Sequence, residues 1–388
     1  MRRIYLDHNA TSPLRREARA VMLRHLGGLD ANASSVHGAG HAARMAIETA
    51  RTAVAGLIAA SPESIVLTGG GTEANNLAIY GLCLREEAAG RRIVASAIEH
   101  PSVLAPLLDL EERGFDVVRV RPDRRGVVDP AAVLEAAAPG TVLVALMLAN
   151  NETGALQPVA ELGRELRRRG IPLHCDAAQA AGKVPVDFGA LETDTLALAA
   201  HKLGGPQGAG ALCVRRGLSL RPHLRGGGQE SNRRPGTESV ALIAGFGAAA
   251  EAARRALPSE GARVGTLRDR MEAGILGRVP GSAVNAAGAP RLPNTSNLAF
   301  EGIQGETLVV ALDLEGVAVS AGSACSAGTV RRSHVLEAMG LERVAGASIR
   351  VSLGPDTGAE EVAAFVEILG RVATRARGTI AAAGGERH

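Results

Sequence analysis

The sequence predicts an α/β protein: a large domain with a mostly parallel seven-stranded sheet between helices, and a smaller C-terminal α+β domain. Three observations lead there. Short runs rich in Val, Ile and Leu alternate with Ala/Arg/Glu segments of helical period, which is the pattern of βαβ units. The runs read as apolar on both faces, as strands covered by helices on both sides must be. After a Gly/Pro/Arg-rich stretch from Arg225 to Gly236 the alternation stops, and a long Ala-rich segment leads into sparser strands and helices.

Taken in order, the first residues through Asp7 read as a short strand that soon turns polar, which is unlike a signal peptide. Strands are expected at Ser64 to Thr68, Arg92 to Ala97, Phe115 to Val120, Thr141 to Met147, Ile171 to Asp176, Thr193 to Ala199 and Gly210 to Val214. Helices fill the intervals at Ala42 to Ala59, Thr72 to Ala88, Pro101 to Arg113, Pro130 to Ala137 and Pro158 to Arg169. A further helix is expected from Glu238 to Ala256, then strands near Asn294 to Phe300 and Ser348 to Ser352, and a terminal helix from Ala359 to Arg375. Residues 13–256 are assigned to the large domain, and 1–12 with 257–388 to the small one.

Composition narrows the function. A chain of 388 residues with 46% hydrophobic and 21% charged content is globular and long enough for two domains. Its net charge is only +3, with the two signs interspersed, and it has no Trp, two Tyr and five Phe. That composition lacks the basic and aromatic surface that nucleic acid requires. No apolar run approaches the roughly 18 residues that would span a bilayer. Four cysteines, Cys83, Cys175, Cys213 and Cys325, are scattered without a C-x-x-C pair. This suits a reducing, cytoplasmic compartment and offers neither a zinc site nor a disulfide framework.

Of the 43 basic residues only two are lysines, Lys183 and Lys202. Where Arg serves wherever charge alone is needed, a retained Lys points to a task that requires losing a proton. Lys202 stands in Ala200-His201-Lys202-Leu203-Gly204-Gly205, downstream of Asp176-Ala177-Ala178-Gln179. A lysine and a carboxylate are what pyridoxal 5'-phosphate needs: an amine to bond its aldehyde, and an acid to keep its ring nitrogen protonated. The turn Thr68-Gly69-Gly70-Gly71-Thr72 follows an expected strand and opens an expected helix, so its amides and the Thr72 hydroxyl can hold a phosphate. Lys183 lacks such neighbours and is read as structural.

These residues fall in an order that resembles the class V aminotransferase-fold cysteine desulfurases, the NifS/IscS-like enzymes. The likeness runs from Tyr5-Leu6-Asp7-His8-Asn9-Ala10-Thr11 to Ser348-Ile349-Arg350-Val351-Ser352-Leu353-Gly354. Between lie Glu99-His100, Asn150-Asn151-Glu152-Thr153-Gly154, His201-Lys202, Arg234-Pro235-Gly236-Thr237-Glu238 and Ser320-Ala321-Gly322-Ser323-Ala324-Cys325-Ser326. The resemblance implies a fold type I enzyme that takes sulfur from L-cysteine, releases L-alanine and carries the sulfur as a persulfide on Cys325. It further implies roles for the matching residues. Lys202 would bond the cofactor aldehyde, Asp176 would pair with the ring nitrogen, Gln179 would meet the ring oxygen, and His100 would stack on the ring and move protons. Gly71, Thr72, His201 and a partner subunit's Thr237 would hold the phosphate. Asn151, Asn32 and Arg350 would contact cofactor or substrate, with Arg350 gripping the carboxylate.

The implied partners are L-cysteine, a protein sulfur acceptor such as an iron–sulfur scaffold or a sulfur-relay protein, and a second copy of the chain. No direct contact with nucleic acid or membrane is implied, and no metal beyond a transient iron–sulfur contact at Cys325. A selenocysteine lyase, an aminotransferase of the same fold and a non-catalytic assembly partner share much of this pattern. The chain departs from the family at four places: Ala199 where a phosphate-binding serine is usual, Ala31-Asn32-Ala33-Ser34, Arg225-Gly226-Gly227-Gly228 and Val330-Arg331-Arg332-Ser333. The first removes one hydrogen bond to the phosphate.

Overall fold

The computed structural model describes residues 3–28, 31–321 and 332–385. The chain begins with β1 (Ile4–Tyr5), α1 (Arg16–Leu26), α2 (Gly38–Leu57), β2 (Ile65–Thr68), α3 (Gly71–Cys83), β3 (Arg92–Ser96), α4 (Pro101–Glu112), β4 (Asp116–Val120), α5 (Pro130–Ala136) and β5 (Thr141–Ala145). It continues through α6 (Val159–Arg168), β6 (Leu173–Asp176), α7 (Phe188–Leu191), β7 (Thr195–Ala199), β8 (Gly210–Val214) and α8 (Val240–Arg278). The C-terminal part adds β9 (Ser282–Asn285), β10 (Thr295–Phe300), α9 (Gly305–Leu314), β11 (Val317–Ala318), β12 (Ser320–Ala321), α10 (His334–Ala338), β13 (Ser348–Ser352) and α11 (Ala359–Gly385).

Seven strands form the main sheet in the order β2-β8-β7-β6-β5-β3-β4. Only β8 runs against its neighbours β2 and β7; the other pairs are parallel. Two reversals cancel, so β2 points the same way as β7, and the C-terminal ends of β2, β3, β5, β6 and β7 share one edge. Loops leaving that edge carry the candidate site residues, the usual place for ligands on an open α/β sheet. Every residue of β2, β6, β7 and β8 is buried, which is why β2, β7 and β8 read as apolar runs, while β6 carries His174 and Asp176 into the interior. Helix starts follow local chemistry: His100 caps α4 ahead of Pro101, and Asp129 caps α5 ahead of Pro130, where the missing N–H is harmless.

A second, antiparallel sheet has the order β12-β13-β10-β9, and β1 pairs in parallel with β11. Two features depart from expectation. Helix α1 was not foreseen: no side chain caps it, and Ala18 is its one fully buried residue. It is held by tertiary packing, with Met22 against α8 so closely that a Cβ on Gly245 would lie 2.5 Å from the Met22 Cγ. Helix α8, expected to stop at Ala256, runs on to Arg278 through Pro258. Its first half packs Ile243, Phe246 and Ala250 into the core beneath the main sheet, and its second half packs Leu267, Met271 and Ile275 into a separate core with Phe300 and Phe365. Apolar partners on both sides of Pro258 outweigh one lost backbone hydrogen bond. The boundary expected at 256/257 thus falls inside one continuous helix. No helix among the described residues is long and apolar enough to cross a membrane.

Candidate active site

Two carboxylates, two lysines and an arginine converge where the edge of the main sheet meets β13 and the N-terminal segment. Asp176 ends β6 and is 7% exposed. Its Oδ1 accepts from the Ala178 N–H at 2.9 Å and its Oδ2 from the Asn75 side-chain amide at 2.8 Å. Asn75 lies one turn into α3 and also donates to Ser102 Oγ at 2.8 Å, so its carbonyl end faces His174 Nε2 at 2.9 Å. That nitrogen must therefore carry the proton, while Nδ1 meets the Thr195 hydroxyl at 2.9 Å. Burial lowers the His174 pKa to about 4, which keeps the ring neutral. A neutral histidine thus orients an amide, and the amide holds the aspartate.

His100 belongs to the same network. Its Nδ1 accepts from the Ser102 N–H at 3.1 Å and lies 2.7 Å from Ser102 Oγ, which assigns the neutral-form proton to Nε2. Burial lowers its pKa, partly opposed by the charge of Asp176. His201, near Thr11 Oγ1 at 3.2 Å, is lowered to about 4 by burial and then by Lys202, Lys183 and His100.

Asn9 is the hub of the site, although no role was expected of it. Its carbonyl accepts from Lys202 Nζ at 2.6 Å and from Gln179 Nε2 at 2.9 Å. Its Oδ1 accepts from Lys183 Nζ at 2.9 Å and from Asn294 at 3.0 Å. Its Nδ2 donates to the Asn151 carbonyl at 3.2 Å and to Thr295 Oγ1 at 2.9 Å. Lys202 Nζ also donates to the Ala10 carbonyl at 2.9 Å. Lys183, read from sequence as structural, instead reaches the site: its ammonium is 2.7 Å from Gln179 Oε1. Its closeness to Asn9 joins residues 174 apart in the chain, so no local pattern signals it.

Arg350 is 3% exposed, on β13 opposite Ser320 of β12. Its Nη2 pairs with Asp7 Oδ1 at 2.8 Å and its Nη1 donates to the Asn151 carbonyl at 3.2 Å. Among the described residues its Nε is buried without a partner, as is Asn151 Oδ1. Such orphans are costly unless a ligand completes them. The following Gly354 packs on His8 so tightly that a Cβ there would lie 1.9 Å from the ring. Two buried carboxylates brace the loops: Glu99 receives the Met147 N–H at 2.8 Å, and Glu152 receives the Ser333 hydroxyl at 2.5 Å. Burial raises both to about 7.

The residues present fit a phosphorylated pyridine aldehyde. Helix α3 begins on Gly70 and Gly71 with no side-chain cap, leaving its first amides to an anion. A Cβ on Gly71 would fill the space beside Ala199, 3.2 Å from its methyl, and lie 4.0 Å from that of Ala178. This cradle joins the helix start to the strand ends that carry Asp176 and Lys202. Thr72 is exposed at the same turn. Two expected members lie apart among the described residues. Asn32 is exposed and its side chain accepts from the Ser34 N–H within its own turn. Thr237 is exposed near Arg234, which pairs with Glu73 of α3. Cys325 lies outside the described residues; Cys83, Cys175 and Cys213 are buried. No cluster suited to a metal ion occurs among the described residues.

The family model for aminotransferase class-V matches residues 4–365. The chain is 40% identical to a protein named cysteine desulfurase IscS from Dictyoglomus turgidum, over 97% of this chain and 96% of the relative. A solved structure titled NifS-like protein superposes with a TM-score of 0.89 at 34% identity, covering 96% of this chain and 99% of the other. Another, titled SspA in complex with cysteine, gives 0.80 at 33% identity over 91% and 99% of the two chains.

Proposed function

Because the chain belongs to the class-V aminotransferase family, we propose that it is a pyridoxal 5'-phosphate-dependent cysteine desulfurase. The observation that carries the reading is the convergence of Lys202, Asp176 and Arg350, with the Arg350 Nε and Asn151 Oδ1 unpartnered among the described residues and open to a ligand. Lys202 would bond the cofactor, Asp176 would hold the ring nitrogen, Gln179 would meet the ring oxygen, and Gly71, Thr72 and His201 would take the phosphate. When bound, the cofactor supplies a sink for electrons released at the substrate α-carbon.

The remaining roles belong to the chain. Arg350, fixed by Asp7, grips the carboxylate of L-cysteine, and Asn151 positions the substrate beside it. The Lys202 amine receives the α-proton, and neutral His100 exchanges protons through Nε2. The Cys325 thiolate attacks the substrate sulfur: the Cβ–S bond breaks, an S–S bond forms, and its electron pair stays on carbon to be protonated. The products are L-alanine and a persulfide on Cys325, which passes to an acceptor protein such as an iron–sulfur scaffold. The active species is a homodimer in which the exposed Thr237 serves the partner's phosphate site.

The test measures products and the site of sulfur together. Wild type given L-cysteine is expected to release alanine and to gain one dithiothreitol-labile sulfur on the Cys325 peptide. Lys202→Ala should lose the borohydride-reducible cofactor adduct, and Cys325→Ser should keep the adduct but lose acceptor-dependent turnover. Sulfur on Cys83, Cys175 or Cys213, or undiminished turnover in Cys325→Ser, would favour a lyase that releases sulfide directly. Absence of a reducible adduct in wild type would leave a non-catalytic assembly role.

A further inference from the structure

We infer that Lys183 is a positioning residue that locks the side-chain amide of Gln179, turning its NH2 group toward Lys202 and the ligand. The inference rests on the function proposed above for what that NH2 group meets. An ammonium only donates, so the amide atom 2.7 Å from Lys183 Nζ must be the oxygen of Gln179. The nitrogen end is thereby fixed on the opposite side. There it donates one hydrogen to the Asn9 carbonyl at 2.9 Å, the same oxygen that receives Lys202 Nζ at 2.6 Å. The second amide hydrogen is then directed by geometry rather than by chance rotation.

The lock has a second bolt. Lys183 also donates to Asn9 Oδ1 at 2.9 Å, so one cation separates two amide oxygens that would otherwise repel. Asn9 is in turn held by Asn294 and Thr295, and is 1% exposed. Gln179 is 6% exposed. Removing the ammonium leaves two buried oxygens facing each other and removes one of the two groups, beside the Asn9 carbonyl, that distinguish the ends of the Gln179 amide among the described residues. Burial and the charges of Lys202 and Arg350 push the Lys183 pKa well down, so its place there is costly unless the two oxygens hold it.

A double-mutant cycle separates a lock from general support. The variants are Lys183→Met, Gln179→Leu and the two combined, each read for pyridoxal 5'-phosphate retention by equilibrium dialysis and for urea unfolding of the apoprotein. Each single variant is expected to weaken retention about tenfold, the worth of one hydrogen bond. The double variant should be weakened about tenfold also, because the second change removes nothing further. In the apoprotein each single variant strands a buried polar partner, and the double variant, apolar on both sides, should unfold at no lower urea than either single. Multiplicative losses of about a hundredfold, or full retention in Lys183→Met beside weak retention in Gln179→Leu, would overturn the inference. If wild type retained no cofactor, the proposed function would fail, and additive destabilisation in the apoprotein would still refute the lock on its own. Should Lys183→Met not fold, Lys183→Leu, equally without a donor, takes its place in the cycle.

Discussion

Replacing Asn75 by Leu tests whether Asp176 is held by a built network. Asn75 is 1% exposed and connects three groups: it donates to Asp176 and Ser102, both at 2.8 Å, and accepts from His174 at 2.9 Å. Leucine fills much the same volume with no polar atom. Asp176 then loses a charge-assisted bond worth about 1.5–3 kcal/mol, and the His174 N–H is buried without an acceptor at about 1–3 kcal/mol. Ser102 loses little, since its hydroxyl turns to His100 at 2.7 Å. The expected destabilisation is about 3–5 kcal/mol, a large share of the roughly 5–15 kcal/mol that holds a typical domain together. Urea unfolding of the apoprotein followed by circular dichroism measures it, with the m-value checked for constancy. A loss below about 1 kcal/mol would mean that His174 and Asp176 find other partners, and the network argument would fail.

Three further outcomes are expected. Ala199→Ser restores a hydroxyl beside the start of α3, where Ala199 sits 3.2 Å from the Gly71 Cβ position; cofactor retention should tighten roughly ten- to a hundredfold, and unchanged retention would place the phosphate elsewhere. Gly354→Ala drives a methyl into the His8 ring, so the unfolding midpoint should drop by the equivalent of about 1–3 kcal/mol; a stable variant would show that the ring has room to move. Glu152 is held near pKa 7 against 4.5 for its ordinary value, so between those pH values the folded chain keeps a proton that the unfolded chain has released. Its contribution is present at low pH and lost as pH rises. Glu152→Gln apoprotein should therefore lose about 3 kcal/mol less than wild type between pH 5 and pH 8, and a pH-independent difference between the two proteins would exclude that titration.

The legible parts of the chain are those whose signal is local. Strands β2, β7 and β8 were visible because both faces are buried, and α4 and α5 because proline and a capping residue mark their starts. The extension of α8 beyond Ala256 was hidden by Pro258, whose cost is offset by Leu267, Met271 and Ile275 in a core that no window of sequence displays. Lys202, Asp176 and Arg350 announced themselves by residue type and motif. Asn75 stands three residues past the glycine turn, but only the fold shows that it faces Asp176 rather than solvent. The place of Lys183 was not visible because its contacts are Asn9 and Gln179 together, and one of those is far away in the chain. Thr237 and Asn32 are both exposed in the single chain, and Asn32, expected beside the substrate, meets Ser34 within its own turn.

The hub at Asn9 has a consequence for how the protein comes into being. Its backbone N–H donates to Ser352, a partner 343 positions later, and its side chain donates to Thr295, 286 positions later. Translation at about 5–20 residues per second delivers those partners roughly 15–70 s after Asn9 has left the ribosome. Through that interval the residue that meets both lysines lacks the partners that fix it in place. A nascent chain carrying the whole main sheet is thus catalytically mute, and a ribosome stalled before β13 yields a product that holds Lys202 and Asp176 but has no assembled site.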